Sequence, residues 1–401
     1  MIVWNEFLND ARVLKEAETL QFAGHKVTVH ALHTPGVTLE KEKLPSGVLV
    51  KRISRSPLWK LRKHKIPSAT QENKNTSSKG AIGKISSSRQ VLRITARLMT
   101  HLGLVISMIK SQPDVVHSHD VNTLPTAWIV SVFMRSPLVY DAHEISTDRE
   151  GYASFRKLVG WVEKHLIPRV AGMITTTDLR AKFFARAYGV TRPIVLQNRP
   201  AYQEVKKSNR IRDELGLKQL WPIVIYQGGL QQGRGLERLV NAAAQVNEAY
   251  FVFIGSGRME SILKEQVRAL HLAERIHFIP TVSLIDLPSY TASGDIGVQP
   301  IENTCLNHFS TDSNKLFEYI IAGLPVVTSN LPEIRKIVNE YKIGLLTNPG
   351  NTEELIQSLR TLVSDLGLRK EYSDNAKLAA KQLNWDTQQY KLTALYEQLT
   401  P

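Results

Sequence analysis

Apolar residues along this chain fall into two alternating kinds of stretch. Short blocks rich in β-branched and aromatic residues read as strands, and between them apolar residues recur every three or four positions, as on one face of a helix. In the first half, residues 1–4, 26–32, 47–53, 115–120, 138–141, 172–177 and 193–196 read as strands. Val13, Leu14, Ala17, Leu20 and Phe22 mark a helix that Asp10 can cap and Gly24 can end. Further helices are predicted over about 89–110, 124–133 and 155–167. Residues 198–209 read as a linker, and the alternation restarts with strands at 223–227, 251–254, 276–279, 296–301, 326–328 and 344–346. Alternation of apolar strands with helices predicts a parallel sheet covered on both faces. Two such runs predict an α/β protein of two doubly wound, Rossmann-like domains, over residues 1–198 and 199–383, facing across a cleft. In such sheets ligands bind beyond the carboxyl ends of the strands.

One stretch concentrates polar chemistry within this pattern. In residues 310–334, STDSNKLFEYIIAGLPVVTSNLPEI, Thr311, Asp312 and Ser313 can each cap a helix whose buried side is Leu316, Phe317, Tyr319, Ile320 and Ile321. Gly323 ends that helix, residues 325–328 form a strand, and Leu331-Pro332-Glu333 opens the next helix. A helix start offers free N–H groups and a partial positive charge to an anion such as a diphosphate. Lys315 adds a full charge there, and Glu318 offers a carboxylate to hydroxyls such as those of a ribose. Taken alone, the stretch is equally an ordinary helix feeding an α/β sheet. Gly228 and Gly229 follow one predicted strand, with Arg234 just beyond, and Gly255 and Gly257 follow the next. Glycines let a backbone approach a phosphate and arginine can fork onto its oxygens, although glycine at a strand-to-helix turn is also routine packing.

Composition narrows the setting. The 401 residues are 42% hydrophobic and 22% charged, as in a globular protein. The single cysteine, Cys305, allows no internal disulfide and no thiolate metal cluster, which predicts a reducing, cytoplasmic setting. No apolar run reaches the ~18 residues of a membrane span, the best, 124–134, being interrupted by Pro125 and Thr126, and MIVWNEFLND lacks the basic start of a signal peptide. Charge is uneven: residues 1–198 hold 29 Lys and Arg against 15 Asp and Glu, residues 199–401 hold 22 of each, so the whole excess of +14 lies in the first half. Between Lys51 and Arg97 there are 13 basic residues and one acid, Glu72, with Leu58, Trp59 and Leu61 among them. That patch points to an anionic membrane surface, against a bland alternative of a solvated loop around QENKNTSSKG. No stacking platform or module for nucleic acid accompanies it, so no nucleic-acid partner is expected.

The order YQGGLQQGRGLERLV, FIGSGRMESIL, IHFIP, NKLFEYIIAGLPVVTSNLPEI resembles the nucleotide-binding half of the retaining glycosyltransferases of family 4, with the two-Rossmann GT-B fold. NDARVLKEAETLQFAGHKVTVHAL, PDVVHSHDVNTL and VYDAHE are similar to its acceptor-side half, and NWDTQQYKLTALYEQL (384–401) to a C-terminal helix that crosses back onto the first domain. The resemblance implies transfer of a sugar from a UDP- or GDP-type donor to a hydroxyl with the anomeric configuration kept, without metal or cofactor. It implies that Arg234 and Lys315 hold the diphosphate and that His119 faces the transferred sugar. Gly228, Gly229, Gly255, Gly257, Ile279, Ser310, Asn314, Leu316 and Glu318 line the donor side, and Asp10, Arg12, His143 and Glu144 the acceptor side.

Three departures stand out. Ser310 replaces the first glutamate of the family's pair, of which Glu318 is the second; Gly229 replaces an arginine found in many members; and the first strand is short, which leaves either a late recorded start or a weakened sheet edge. The expected function is assembly of a cell-surface polysaccharide or glycolipid by a cytoplasmic enzyme, peripheral on the inner face of the plasma membrane, acting on a glycan or lipid-linked acceptor. A non-catalytic partner subunit of the same fold is the alternative. An epimerase is disfavoured because no carboxylate set suits proton abstraction.

Overall fold

The computed structural model describes residues 1–55, 87–149 and 155–399. Most of the basic segment, residues 56–86, therefore lies outside the described residues. By contacts the chain divides into two compact units: one of residues 1–141 with 169–172 and 399–401, the other of residues 142–168 with 173–398.

In the first unit β1 (Thr28–His33) pairs in parallel with β3 (Leu49–Ser54), and β2 (Lys41–Lys43) lies antiparallel on the far side of β3. β4 (Val116–His119) pairs in parallel with β5 (Leu138–Ala142). Ile2 joins the two sets, bridging His30 on one side and Ser118 on the other, with its N–H donating to His117 O at 2.9 Å. The expected first strand is thus a single bridging residue, and it lies in the sheet's interior, not at a weakened edge. Ile2 and Val3 are buried accordingly.

The helix Ala11–Phe22 starts where expected, with the Asp10 carboxylate accepting from Val13 N at 3.2 Å. Val13, Ala17 and Leu20 face inward, but Phe22, expected on that face, is exposed. Helix Ser87–Ile109 buries a stripe at four-residue spacing, Thr100, Leu104 and Met108, and packs so closely on the sheet that a Cβ on Gly103 would lie 2.9 Å from Ile53. Helix Leu124–Met134 packs beside it with Leu124, Ala127 and Val130 inward. The expectation that no stretch is long and apolar enough to span a membrane is corrected here. Val91–Ile109, 19 residues, is long and apolar enough by length and composition, and most of it is not buried. Arg93, Arg97 and His101 interrupt its apolar pattern at four-residue spacing, so no continuous apolar stretch marks it in the sequence.

In the second unit β6 (Gly172–Thr175) pairs in parallel with β7 (Ile194–Val195). Six further strands form one parallel sheet: β8 (Ile223–Gln227), β9 (Tyr250–Ile254), β10 (Ile276–Ile279), β11 (Ile296–Gln299), β12 (Val326–Ser329) and β13 (Gly344–Thr347), in the order β10-β9-β8-β11-β12-β13. Counted from β8, that is 3-2-1-4-5-6, the doubly wound order whose direction reverses between β8 and β11. Every residue of β8 and β9 is buried, as a sheet covered on both faces requires.

Helix Asn314–Ile321 is locked over the reversal point by Tyr319. A Cβ on Gly297 would sit 2.5 Å from the Tyr319 ring, so glycine in β11 makes room for it. The Tyr319 hydroxyl lies 3.2 Å from Ile225 O and 3.3 Å from Val298 O, and accepts from Gln227 N at 3.2 Å. The chain's closing region is tied to residues 195–200 through Trp385 N to Pro200 O at 2.7 Å and Gln388 Nε2 to Gln197 O at 2.6 Å.

Candidate active site

Beyond the carboxyl end of β8 two cations lie together. Lys315, in the first turn of helix Asn314–Ile321, is 9% exposed and runs beneath the turn at Gly228, whose added Cβ would be 3.1 Å from Lys315 Nζ. Its ammonium stands 5.0 Å from the centre of the Tyr226 ring. Burial and the neighbouring Arg234 push its pKa down to about 7, against a smaller upward pull from Glu318. Among the described residues, neither Lys315 nor Arg234 has a carboxylate in ion-pair contact. The helix start adds to this field. Ser313, at φ 53, makes no side-chain cap, contrary to its expected role, and Asn314 is exposed. A buried amine, a guanidinium and an uncapped helix start form a site short of negative charge.

At Gly255 and Gly257 the packing explanation applies. A Cβ on Gly255 would meet Gly228 O at 2.2 Å, and one on Gly257 would meet Leu230 O at 2.1 Å. The two glycine turns therefore pack backbone to backbone, and Gly255 N donates to Ile279 O at 2.9 Å. Gly228 and Gly229 are exposed, and Gly228, at φ +118, needs glycine for its conformation. Gly257→Ala is expected to cost about 1–3 kcal/mol of stability by overpacking, measurable in chemical denaturation. An unchanged midpoint would mean that the turns can part.

Glu318 accepts from Gln227 Nε2, and Gln227 Oε1 accepts from Thr291 Oγ1 at 2.9 Å. This chain aims the carboxylate, and neither Gln227 nor Thr291 was foreseen. Leu316 has its side chain in the core, and its N–H donates to Ser313 O. Ile279 is likewise buried, with its carbonyl engaged by Gly255.

Ser310 is 4% exposed: its hydroxyl donates to Leu306 O at 2.6 Å and accepts from Arg180 Nε at 3.2 Å. Arg180 also donates to His143 O at 2.6 Å and Asn307 O at 3.1 Å. Asn307 in turn bonds both backbone groups of Ile145. The position expected to touch a ligand is thus held in a buried network centred on an unforeseen arginine. Asp312 accepts from Gln197 Nε2 at 2.9 Å, and burial raises its pKa. His143 is half-buried and Glu144 pairs with Arg149 at 3.3 Å.

In the first unit, at the ends of β4 and β5, His119 Nδ1 lies 3.2 Å from Asp141 Oδ2. Arg12 forks onto Asp141, both contacts at 2.8 Å, and reaches Glu16 at 3.2 Å. His117 stacks on His119 with ring centres 4.4 Å apart, and burial drives its pKa well down, leaving it neutral. Ligand atoms of Glu16, His117, His119 and Asp141 all lie within 4.8 Å of one another, but the Arg12 guanidinium already supplies their cation. Arg12 is therefore a buried structural counter-charge, and Asp10 a helix cap that also accepts from Asn5 Nδ2 at 2.8 Å. Glu16 was missed, although a charged residue on the stripe Val13, Ala17, Leu20 was a readable signal.

Comparisons with known proteins agree with this architecture. The profile of the Glycosyl transferase 4-like domain matches residues 10–198, and that of Glycosyl transferases group 1 matches residues 207–379. The chain is 25% identical over 228 residues to an alpha-D-kanosaminyltransferase of Streptomyces kanamyceticus, covering 54% of this chain and 57% of that protein. It is 30% identical over 167 residues to the sulfoquinovosyl transferase SQD2 of Arabidopsis thaliana, covering 41% and 31%. The matches thus span little more than half of the first relative and under a third of the second. Among solved structures, HepE of Anabaena in complex with UDP-glucose superposes with a TM-score of 0.74 at 18% identity, over 99% of this chain and 98% of that one. With both halves matched in order and two Rossmann-like domains, the chain belongs to the group 1 glycosyltransferases of the GT-B fold, with a family 4-like first domain.

Proposed function

We propose that this protein transfers a sugar from a nucleoside diphosphate sugar to a hydroxyl of a glycan or lipid-linked acceptor, with retention of configuration. The observation that carries the reading is the pair Lys315 and Arg234, two cations held together without a carboxylate partner at the reversal point of a doubly wound sheet. A diphosphate placed there relieves their mutual repulsion, which an electroneutral ligand would not. Glu318, aimed by Gln227, is positioned for ribose hydroxyls.

In the proposed reaction the bond from the anomeric carbon to the diphosphate oxygen breaks. The acceptor oxygen bonds to that carbon from the same face, and the acceptor proton passes to the departing phosphate. Arg234 and Lys315 offset the charge gathering on that phosphate. No metal or cofactor is assigned to the step. His119 is proposed to face the transferred sugar, with Asp141 fixing its ring. Work at an anionic membrane on the cytoplasmic side, in polysaccharide or glycolipid assembly, completes the proposal.

Binding of an intact nucleotide sugar tests it. The donor's diphosphate does not titrate near neutrality, so any break in affinity near pH 7 reports on the protein. Lys315 is half-charged at about pH 7 in the free protein, and a bound diphosphate raises its pKa. Binding therefore takes up a proton above that pH. Affinity for UDP- or GDP-sugar is expected to be full below about 7 and to weaken by up to ~tenfold per pH unit above it. Calorimetry in buffers of different ionisation enthalpy would show the proton. Absence of binding by either nucleotide class would reject the donor site and favour the non-catalytic subunit.

A further inference from the structure

The first unit carries an apolar surface that its own packing does not explain. Helices Ser87–Ile109 and Leu124–Met134 pack side by side on one face of the sheet, joined by His101 Nδ1 to Thr126 Oγ1 at 2.7 Å and Arg97 to Asn122 at 3.2 Å. Their inner stripes, Leu104 with Met108 and Leu124 with Val130, are buried. Outward, Ile94 (61% exposed), Leu98 (63%), Leu102 (59%) and Ile106 (46%) line the first helix, and Val132 (59%) and Phe133 (69%) the second. A surface helix ordinarily turns charged residues outward, whereas these two turn leucine, isoleucine and phenylalanine. Exposed large apolar side chains gathered on two adjacent helices point to an interaction site.

Charge selects the partner. Over the described residues 87–113 no Asp or Glu occurs, and Arg93 and Lys110 are exposed there, while Arg97 is joined to Asn122. Residues 121–140 carry no acid either, and one base, Arg135, just past the second helix. A wholly apolar partner would gain nothing from these cations, and a basic partner would be repelled. An interface apolar in depth and anionic at its surface matches both features, and a bilayer containing acidic lipid is that interface.

We propose that the outer faces of helices Ser87–Ile109 and Leu124–Met134 form the surface by which this protein lies on an anionic membrane, with apolar side chains in the acyl boundary and the exposed Arg93, Lys110 and Arg135 among headgroups. The longer helix lies in the interface instead of crossing it, because Leu104, at 0% exposure, and Met108, at 2%, hold it to the sheet. The inference deepens the membrane-surface part of the proposed function and rests on it for the acceptor's location, but it needs no donor chemistry.

The test is co-sedimentation of the full chain, without nucleotide, with vesicles of phosphatidylcholine alone or mixed roughly 2:1 with phosphatidylglycerol. Wild type is expected to pellet with the mixed vesicles and much less with the neutral ones. Raised salt should weaken the binding without abolishing it. L102D with F133D should reduce binding at least ~tenfold while circular dichroism and nucleotide affinity stay those of wild type, since both side chains are exposed. Equal recovery of wild type in the supernatant with both vesicle types would overturn the proposal, as would undiminished pelleting of the double variant. A concentration-dependent dimer in ultracentrifugation that L102D/F133D dissolves, without vesicle binding, would also overturn it and assign the face to a second copy. Loss of nucleotide binding with vesicle binding intact would sink the donor-site reading alone.

Discussion

Arg234→Ala is expected to lower kcat/KM by about 10²–10³-fold, equivalent to about 3–4 kcal/mol of transition-state stabilisation. The size follows from the proposed role of the guanidinium at the leaving diphosphate. In the ground state the donor's diphosphate shares its charge with the sugar still attached; as the glycosidic bond breaks, more negative charge collects on the leaving oxygens, and a fixed cation then does most. Ground-state binding should suffer less, because Arg234 also holds down the pKa of Lys315. Without Arg234, Lys315 becomes more fully protonated near neutrality and replaces part of the lost attraction. The break in affinity near pH 7 should accordingly move upward in the variant, a signature that general damage would not produce. Arg234→Lys should fall between wild type and alanine, keeping charge but losing the two-pronged contact. Steady-state transfer or donor hydrolysis measured against pH checks each point. Turnover like that of wild type in Arg234→Ala would remove this residue from the leaving-group role.

The features that were readable in the sequence share a physical cause. β8 and β10 begin and end at the expected residues because a buried parallel strand must be apolar throughout, which leaves a sharp block between polar turns. β2 escaped notice because its Lys-Glu-Lys is an outer strand whose residues 41 and 43 face solvent. The helix start that carries Lys315 and Glu318 was legible, because its polar lead-in and apolar stripe are local. What aims them was not. Gln227 and Thr291 meet across 64 positions, Arg180 and Ser310 across 130, and Ile145 and Asn307 across 162, distances over which local pattern carries no information. Ser310 shows the consequence. Sequence marks it as a missing carboxylate, whereas the fold shows a hydroxyl committed to Arg180 and Leu306, so a glutamate there would meet a guanidinium before it met a sugar.

Arg12→Ala is expected to destabilise the first unit by about 3–5 kcal/mol, a large part of the roughly 5–15 kcal/mol that holds a domain folded. The guanidinium, 3% exposed, bonds Asp141 twice at 2.8 Å and Glu16 at 3.2 Å, while Glu16 and Asp141 are fully buried. Removing it leaves two carboxylates in a low-dielectric interior with neutral His117 beside them. A cost set by charge balance can be distinguished by measurement from one set by the lost contacts. Arg12→Met combined with Glu16→Gln and Asp141→Asn removes the charges together while keeping the volumes, and should recover much of the loss. Hydrogen exchange of amides in helix Ala11–Phe22 and in β4 reads the first unit's stability directly, free of the second unit's unfolding. If Arg12→Ala exchanged like wild type, the carboxylates would have another counter-charge. If the triple variant fared as badly as the single one, shape and hydrogen bonding, not charge balance, would hold this corner of the fold, and His119 would owe its orientation to packing instead of to Asp141.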